Sequence, residues 1–378
     1  MKRENINLYI AVLLIAAIIF SFLTIYAFGE QRQSAFSVSA HSAALYQPDN
    51  DIFLYSKNPD QRMSMASTTK IMTALVALEQ GNLDDVVEID DSAIGIEGSS
   101  AYLKLGDLLT LEELVYALLL QSANDAAVAI ACHIGGSIEG FSALMNERAA
   151  KLSLSDTHFT NPHGLDDPEH YTTARELALI AAEALKNSEF KKIVSTYKRT
   201  FSTEERVRTY VNHNKLLRLY DGCIGVKTGF TKKSGRCLVG ASEKDGLRFI
   251  SVTLDAPSDW SDHSKMLNLG YESLEKIVLA EPFDHMYKIP LIDGERDHFF
   301  AANTEGGEII REKSNSVSEE NIKLLRYGVA PINIGDAVGE IIYTSDGKEI
   351  MRMPIVALES VKKKKQSGFF DKILSIFD

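Results

Sequence analysis

Apolar residues along this chain switch several times between a period near 3.6 and a period of 2, and the switches outline its elements. Ser42 to Tyr46 and Ile52 to Tyr55 bracket Pro48-Asp49-Asn50, two short apolar runs around a turn signal, which predicts an opening hairpin. Ile71, Ala74, Leu75 and Leu78 then recur at helical spacing until Gly81, so a helix is expected there with Ser67 at its N-terminus. Thr110-Leu111-Glu112-Glu113 has the spacing of a capping box and opens an apolar helix through Leu120. A second helix is expected from Ala126 to Ile134, closed by Gly135-Gly136, which leaves Ser122-Ala123-Asn124 in the short connection. Thr173 to Glu176 repeats the capping signal ahead of a helical stretch through Leu185. The loop before it, Phe159 to Tyr171, is rich in Asn, His, Gly and Asp, a composition that often carries function.

Beyond these helices the period shortens. Cys223 to Lys227, Arg236 to Ala241 and Phe249 to Leu254 are β-rich runs separated by turns, the pattern of adjacent antiparallel strands. A hairpin turning near Lys232 sets Cys223 opposite Ser242, and Lys227-Thr228-Gly229 is expected at the end of the first strand. From about Glu281 long helices disappear, and β-rich segments separated by Gly and Asp take over, as in Ala337 to Tyr343 and Glu349 to Val356. This predicts a second, all-β domain of about 80 residues, within the usual domain range. The expected organisation is 1–33 for export, 34–280 for a large domain, 281–360 for the all-β domain and 361–378 for a tail.

Composition bounds where the chain works. With 378 residues and 45% hydrophobic content there is material for one large core and a smaller one. Leu8 to Phe28 is an uncharged apolar run behind Lys2 and Arg3, long enough to cross a bilayer, so the chain is expected to be exported. Val38-Ser39-Ala40 offers a small-residue cleavage site; the segment reads first as a signal peptide and second as an uncleaved anchor. The formal net charge of −12 argues against a nucleic-acid partner, which needs a positive field. Lys362 to Lys365 followed by Phe369, Phe370, Ile373, Leu374, Ile376 and Phe377 reads as an interfacial anchor on an anionic membrane surface, with a frayed polar tail as the plain alternative. Cys132, Cys223 and Cys237 are odd in number and lack paired spacings, so they are expected to be plain buried thiols.

Three short strings carry the candidate chemistry: Ser67-Thr68-Thr69-Lys70, Ser122-Ala123-Asn124 and Lys227-Thr228-Gly229. A hydroxyl and an amine three residues apart on a helix share one face, about 5–6 Å between Cβ atoms, so the lysine is placed to take the serine proton. Such a lysine must be neutral, which requires burial or a neighbouring cation to depress a pKa of about 10.4, and Lys227 is the candidate neighbour. A rival reading gathers His158, His163, Asp166, Asp167 and His170 as zinc ligands. No His-Glu-x-x-His pair supports it, and the plain reading is Asx turns with solvent-facing histidines.

These strings resemble the penicillin-binding D-alanyl-D-alanine carboxypeptidases, the serine peptidases that share a fold with class A β-lactamases. The resemblance extends through Asn161-Pro162-His163-Gly164-Leu165, Tyr171-Thr172-Thr173-Ala174 and the all-β segment. It implies an α+β fold, a β-lactamase/DD-peptidase-like catalytic domain of antiparallel sheet and helices followed by a small all-β domain. It implies Ser67 as nucleophile, Lys70 as base and Ser122 as proton relay. Asn124, Lys227, Thr228 and Gly229 would bind substrate, and the backbone N–H groups of Ser67 and Phe230 would form the oxyanion hole. The implied substrate is the peptidoglycan stem peptide, with β-lactams as covalent inhibitors and no metal or organic cofactor. The alternatives are a serine β-lactamase, for which Glu169 is the one acid on a suitable loop, and a catalytically silent scaffold of the same fold.

Overall fold

The structure, a computed structural model, describes residues 36–202, 206–314 and 319–365. Leu8 to Phe28 and Phe369 to Phe377 lie outside the described residues. The chain gathers into two compact units: the first holds most of 36–266, the second most of 267–365 together with 47–52 and 243–249.

A five-stranded sheet runs in the order Ile52–Lys57, Ser42–Gln47, Leu247–Leu254, Gly235–Lys244, Cys223–Thr231, so the last of these is an edge strand. Cys223 pairs with Ser242 as expected, but the strand runs on through Thr231. Lys227-Thr228-Gly229 therefore lies within the strand rather than at its end, because pairing with Gly235–Lys244 continues past it.

The helix Lys70–Gln80 is buried without a break from Lys70 to Ala77, the behaviour of a helix that is apolar on every side. It packs against the helices Asn124–Gly135, Ile138–Lys151 and Ala174–Ala184. One core joins these helices to the sheet, with Ile71, Leu75, Leu114, Ile130 and Phe141 on the helical side and Val239, Ala241, Ile250 and Val252 on the strands. Each such fully buried large side chain contributes roughly 1.5–3 kcal/mol relative to exposure.

Both predicted caps form: Thr110 accepts from the Glu113 N–H and Thr173 from the Glu176 N–H. Neither threonine completes a reciprocal box. The Glu176 carboxylate instead accepts from the N–H groups of Ser155 and Asp156 at 2.9 and 3.0 Å, so long-range contacts claim it.

The second unit is β-rich, as expected. Its six-stranded sheet has the order Glu319–Leu324, Ala337–Ser345, Lys348–Ala357, His298–Ala302, Met286–Ile292, Gly328–Val329. A separate pair joins Leu274–Ala280 to Gly307–Glu312, so strand pairing of this unit begins upstream of Glu281. Its core is apolar, built on Ile289, Phe299, Ile341, Met353 and Ile355.

Candidate active site

Ser67 sits in a single 3₁₀ turn, Ala66–Thr69, that feeds the helix Lys70–Gln80, one turn ahead of the position expected for it. The preceding Ala66 has φ 47°, a left-handed residue that bends the chain sharply into the turn. Thr69 Oγ1 donates to the Ala66 carbonyl at 2.8 Å and meets His170 Nε2 at 2.7 Å. The Thr160 N–H donates to His170 Nδ1 at 3.1 Å, which leaves the ring hydrogen on Nε2, donated to Thr69. Burial holds the His170 imidazole down to about 4, so it stays neutral and keeps this tautomer.

Lys70 is fully buried. Its Nζ lies 2.9 Å from Ser67 Oγ, 2.6 Å from Asn124 Oδ1 and 2.7 Å from the His163 carbonyl. Asn124 Nδ2 donates to the Glu97 carbonyl at 2.5 Å, which turns Oδ1 toward the lysine. Two of the three partners can only accept, so a neutral amine here would give them its two N–H bonds and turn its lone pair to the serine hydroxyl. Burial, then the charge of Lys227, pushes Lys70 well below its ordinary value. Both causes proposed from sequence operate, and burial is the larger.

Ser122 follows a π turn, Ala117–Gln121, and adopts φ 61°, ψ 31°. This left-handed kink ends one helix; Asn124 starts the next. Lys227 Nζ donates to Ser122 Oγ at 3.0 Å and to the Thr228 carbonyl at 2.9 Å, and burial brings its pKa down to about 7. The strings thus form two hydrogen-bonded sets, Ser67 with Lys70 and Asn124, and Lys227 with Ser122, coupled through the charges of the two lysines.

A cleft of about 350 Å³ opens over the cluster, lined by Ser67, Ser122, Thr228, Gly229 and Phe230. The Gly229 backbone crosses the nucleophile turn so closely that a Cβ there would lie 3.0 Å from Ser67 N and 3.1 Å from Met65 O. A side chain here would need the turn to give way by a few tenths of an ångström, so the protein's own backbone favours glycine at this position. A cavity of about 440 Å³ around Cys132 and His133 contains none of these groups.

The histidine-rich loop also acts through its main chain. Besides the His163 carbonyl on Lys70, the Pro162 carbonyl accepts from Thr73 Oγ1 at 2.6 Å, so two successive carbonyls fasten the loop to the nucleophile helix. Gly164, at φ 87°, has no room for a Cβ, which would fall 2.0 Å from the Ala66 carbonyl. His163 and His170 are buried rather than solvent-facing. Among the described residues no group of three His, Cys, Asp or Glu is placed to hold a metal. Cys237 is buried, but Cys132 and Cys223 are only half-buried; all three are free, and burial pushes the Cys223 and Cys237 thiols up to about 11.

Six cleft residues had no sequence motif: Ser99, His213, Lys215, Arg236, Asp259 and Trp260. For His213 a local signal exists in Asn212-His213-Asn214, whose asparagine side chains accept from the Asn214 and Leu216 N–H groups and so form consecutive Asx turns. Arg236, Asp259 and Trp260 meet only in the folded chain.

Residues 29–258 match the family model of D-alanyl-D-alanine carboxypeptidase, and residues 284–363 that of the penicillin-binding protein 5 C-terminal domain. The chain is 32% identical over 345 residues to the D-alanyl-D-alanine carboxypeptidase DacF of Bacillus subtilis, covering 88% of each. Among solved structures, it resembles penicillin-binding protein 5 from Haemophilus influenzae with a TM-score of 0.64 and 29% identity, over 87% of this chain and 99% of that one. It resembles the carboxypeptidase DacD from Francisella tularensis with a TM-score of 0.64 and 26% identity, over 88% and 95%.

Proposed function

Because the chain belongs to the D-alanyl-D-alanine carboxypeptidase family, we propose that it removes the terminal D-alanine from peptidoglycan stem pentapeptides through an acyl-enzyme on Ser67. The observation that carries the residue roles is the placement of the buried Lys70 Nζ, 2.9 Å from Ser67 Oγ with Asn124 Oδ1 and the His163 carbonyl at 2.6 and 2.7 Å.

Ser67 Oγ attacks the carbonyl between the two D-alanines while Lys70 takes its proton. The oxyanion is met by the N–H groups of Ser67 and Phe230, on two segments that meet beside Gly229; one such donor is worth about 10²–10³ in rate. As the tetrahedral intermediate collapses, the C–N bond breaks and the leaving amine takes a proton passed through Ser122, which Lys227 holds in place. Asn124 orients Lys70, and Thr228 hydrogen-bonds the substrate carboxylate. Water then releases the shortened peptide, and the proton returns to Ser67. No step calls for a metal. β-Lactams acylate the same serine, and slow release of that adduct separates a peptidase from a β-lactamase.

The same family reading accords with an exported enzyme working at the wall, and the tail is proposed to hold it to an anionic membrane. Lys362 to Lys365 are exposed, and the backbone of Lys363 bridges to Gly294. The deciding experiment is product analysis on a pentapeptide together with fluorescent penicillin labelling. Free D-alanine without chain joining, and a label lost in Ser67→Ala, are expected; labelling retained in that variant would refute the assignment of Ser67.

A further inference from the structure

The mechanism above gives Asn124 the task of orienting Lys70 and leaves the next residue without one. Asp125 is 3% exposed, lies in the first turn of the helix Asn124–Gly135, and forms no ion pair among the described residues. Its carboxylate instead binds one short segment of chain. Oδ2 accepts from Ser100 Oγ at 2.6 Å and from the Leu103 N–H at 3.1 Å, while Oδ1 accepts at 2.9 Å from both the Ala101 N–H and the Ala126 N–H of its own helix. Tyr102, between the two donating residues of the segment, sits at φ 55° with its side chain turned out, 80% exposed. A left-handed residue flanked by N–H groups that converge on an anion is the backbone concavity that cradles phosphate in other proteins; here the anion is the chain's own side chain. A tyrosine at positive φ costs about 1–3 kcal/mol, so the turn depends on that carboxylate to persist.

The same segment holds Asn124 from its other side. The Asn124 N–H donates to the Ser99 carbonyl at 2.7 Å, and Nδ2 donates to the Glu97 carbonyl at 2.5 Å. Between them Gly98 passes so close that a Cβ there would lie 2.8 Å from Nδ2. Residues 97–103 therefore form a clasp, with two carbonyls on the donors of Asn124 and three donors on the carboxylate of Asp125. The clasp decides which way the Asn124 amide faces, and so which atom meets Lys70 Nζ at 2.6 Å. Ser99 is also part of the cleft wall.

We propose that Asp125 is a positioning residue for the acylation step: by closing residues 97–103 around Asn124 it sets the amide that holds Lys70 against Ser67. The proposal rests on the acyl-enzyme reading and names what keeps its base in place.

Charge adds a signature that packing alone lacks. The Asp125 charge raises Lys70, against the burial and the Lys227 charge that depress it. The other titratable groups that sense this amine are His163 and His170 on the loop over the nucleophile turn, both kept neutral by burial at about 3 and about 4. Loss of the Asp125 charge therefore carries Lys70 lower still, and the amine becomes competent from a lower pH.

The test measures acylation of the full chain by fluorescent penicillin. Asp125→Asn turns one carboxylate oxygen into an amide nitrogen that cannot accept, so acylation should slow about 10- to 100-fold, the weight of a lost hydrogen bond to a charged group. In an Asn124→Ala background the same change should cost less than about threefold, because the group it positions is gone. The rise of the rate with pH should also move to lower pH. Ser100→Ala removes one donor and keeps both N–H contacts, and should lose about threefold to tenfold with an unchanged melting temperature. Equal losses from Asp125→Asn with and without Asn124, or a rise that stays at the wild-type pH, would overturn the proposal. Full-rate acylation by Ser100→Ala would overturn it too, and that variant decides the matter should Asp125→Asn not fold. Labelling that persists in Ser67→Ala would instead refute the acyl-enzyme reading, which none of the Asp125 outcomes can do.

Discussion

In the first unit two lysine amines, Lys70 and Lys227, lie fully buried beside Ser122, Asn124 and His163; beyond residue 280, Asn303 is the one buried polar side chain among the described residues apart from the Tyr343 hydroxyl. Asn303 accepts from the His285 N–H at 2.9 Å and donates to the carbonyls of Glu281 and Glu305 at 2.8 and 3.0 Å, so its amide is used up in joining turns. The amines are hydrogen-bonded too, yet a buried ammonium costs several kcal/mol that its contacts only partly offset. What the contrast teaches is that a satisfied buried amide builds a fold, whereas a buried amine driven toward neutrality stores reactivity. In the β-rich unit polar burial serves stability; around Lys70 and Lys227 it is proposed to serve proton transfer.

The contrast breaks most sharply at Lys70. Lys70→Arg keeps a cation but no base at ordinary pH, so acylation by fluorescent penicillin should fall by about 10²–10⁴, the usual weight of general base catalysis. Normal labelling would remove Lys70 from the proposed role. In the wild type, kcat/KM should rise with pH through the depressed Lys70 value, because the amine is competent only above it.

A smaller effect is expected where backbone meets backbone. Gly229→Ala places a Cβ 3.0 Å from Ser67 N, and overpacking of this kind costs about 1–3 kcal/mol. Penicillin acylation should drop by about tenfold and the melting temperature should fall by a few degrees, since the strain falls on the turn that carries the nucleophile. Loss of melting temperature without loss of acylation would place the strain elsewhere. Least effect on chemistry is expected from Asn303→Ala, which leaves three backbone groups of the β-rich unit without their partner. It should lower unfolding free energy by about 1–3 kcal/mol and leave the acylation rate unchanged. A slower acylation in that variant would erase the division of labour.

Much of this was legible locally. The caps at Thr110 and Thr173 and the pairing of Cys223 with Ser242 follow from side-chain chemistry and turn placement within a few residues. The three strings that meet at Lys70 and Lys227 were readable as well, since each is a short spacing of reactive groups. Strand extent was not, because the length of Cys223–Thr231 is set by its partner strand, and Glu176 was drawn from its own helix by backbone N–H groups on another loop.

The amino-acid order by itself determined which groups can react, where helices and turns begin, and that a large mixed unit is followed by a β-rich one. Tertiary structure alone decided that Lys70 is desolvated and flanked by the His163 carbonyl, that Gly229 presses on the Ser67 backbone, and that Arg236 meets Asp259 and Trp260. The reason is physical: propensity and capping act over a few residues, whereas desolvation, close backbone approach and charge coupling depend on groups that are neighbours in space and strangers in sequence.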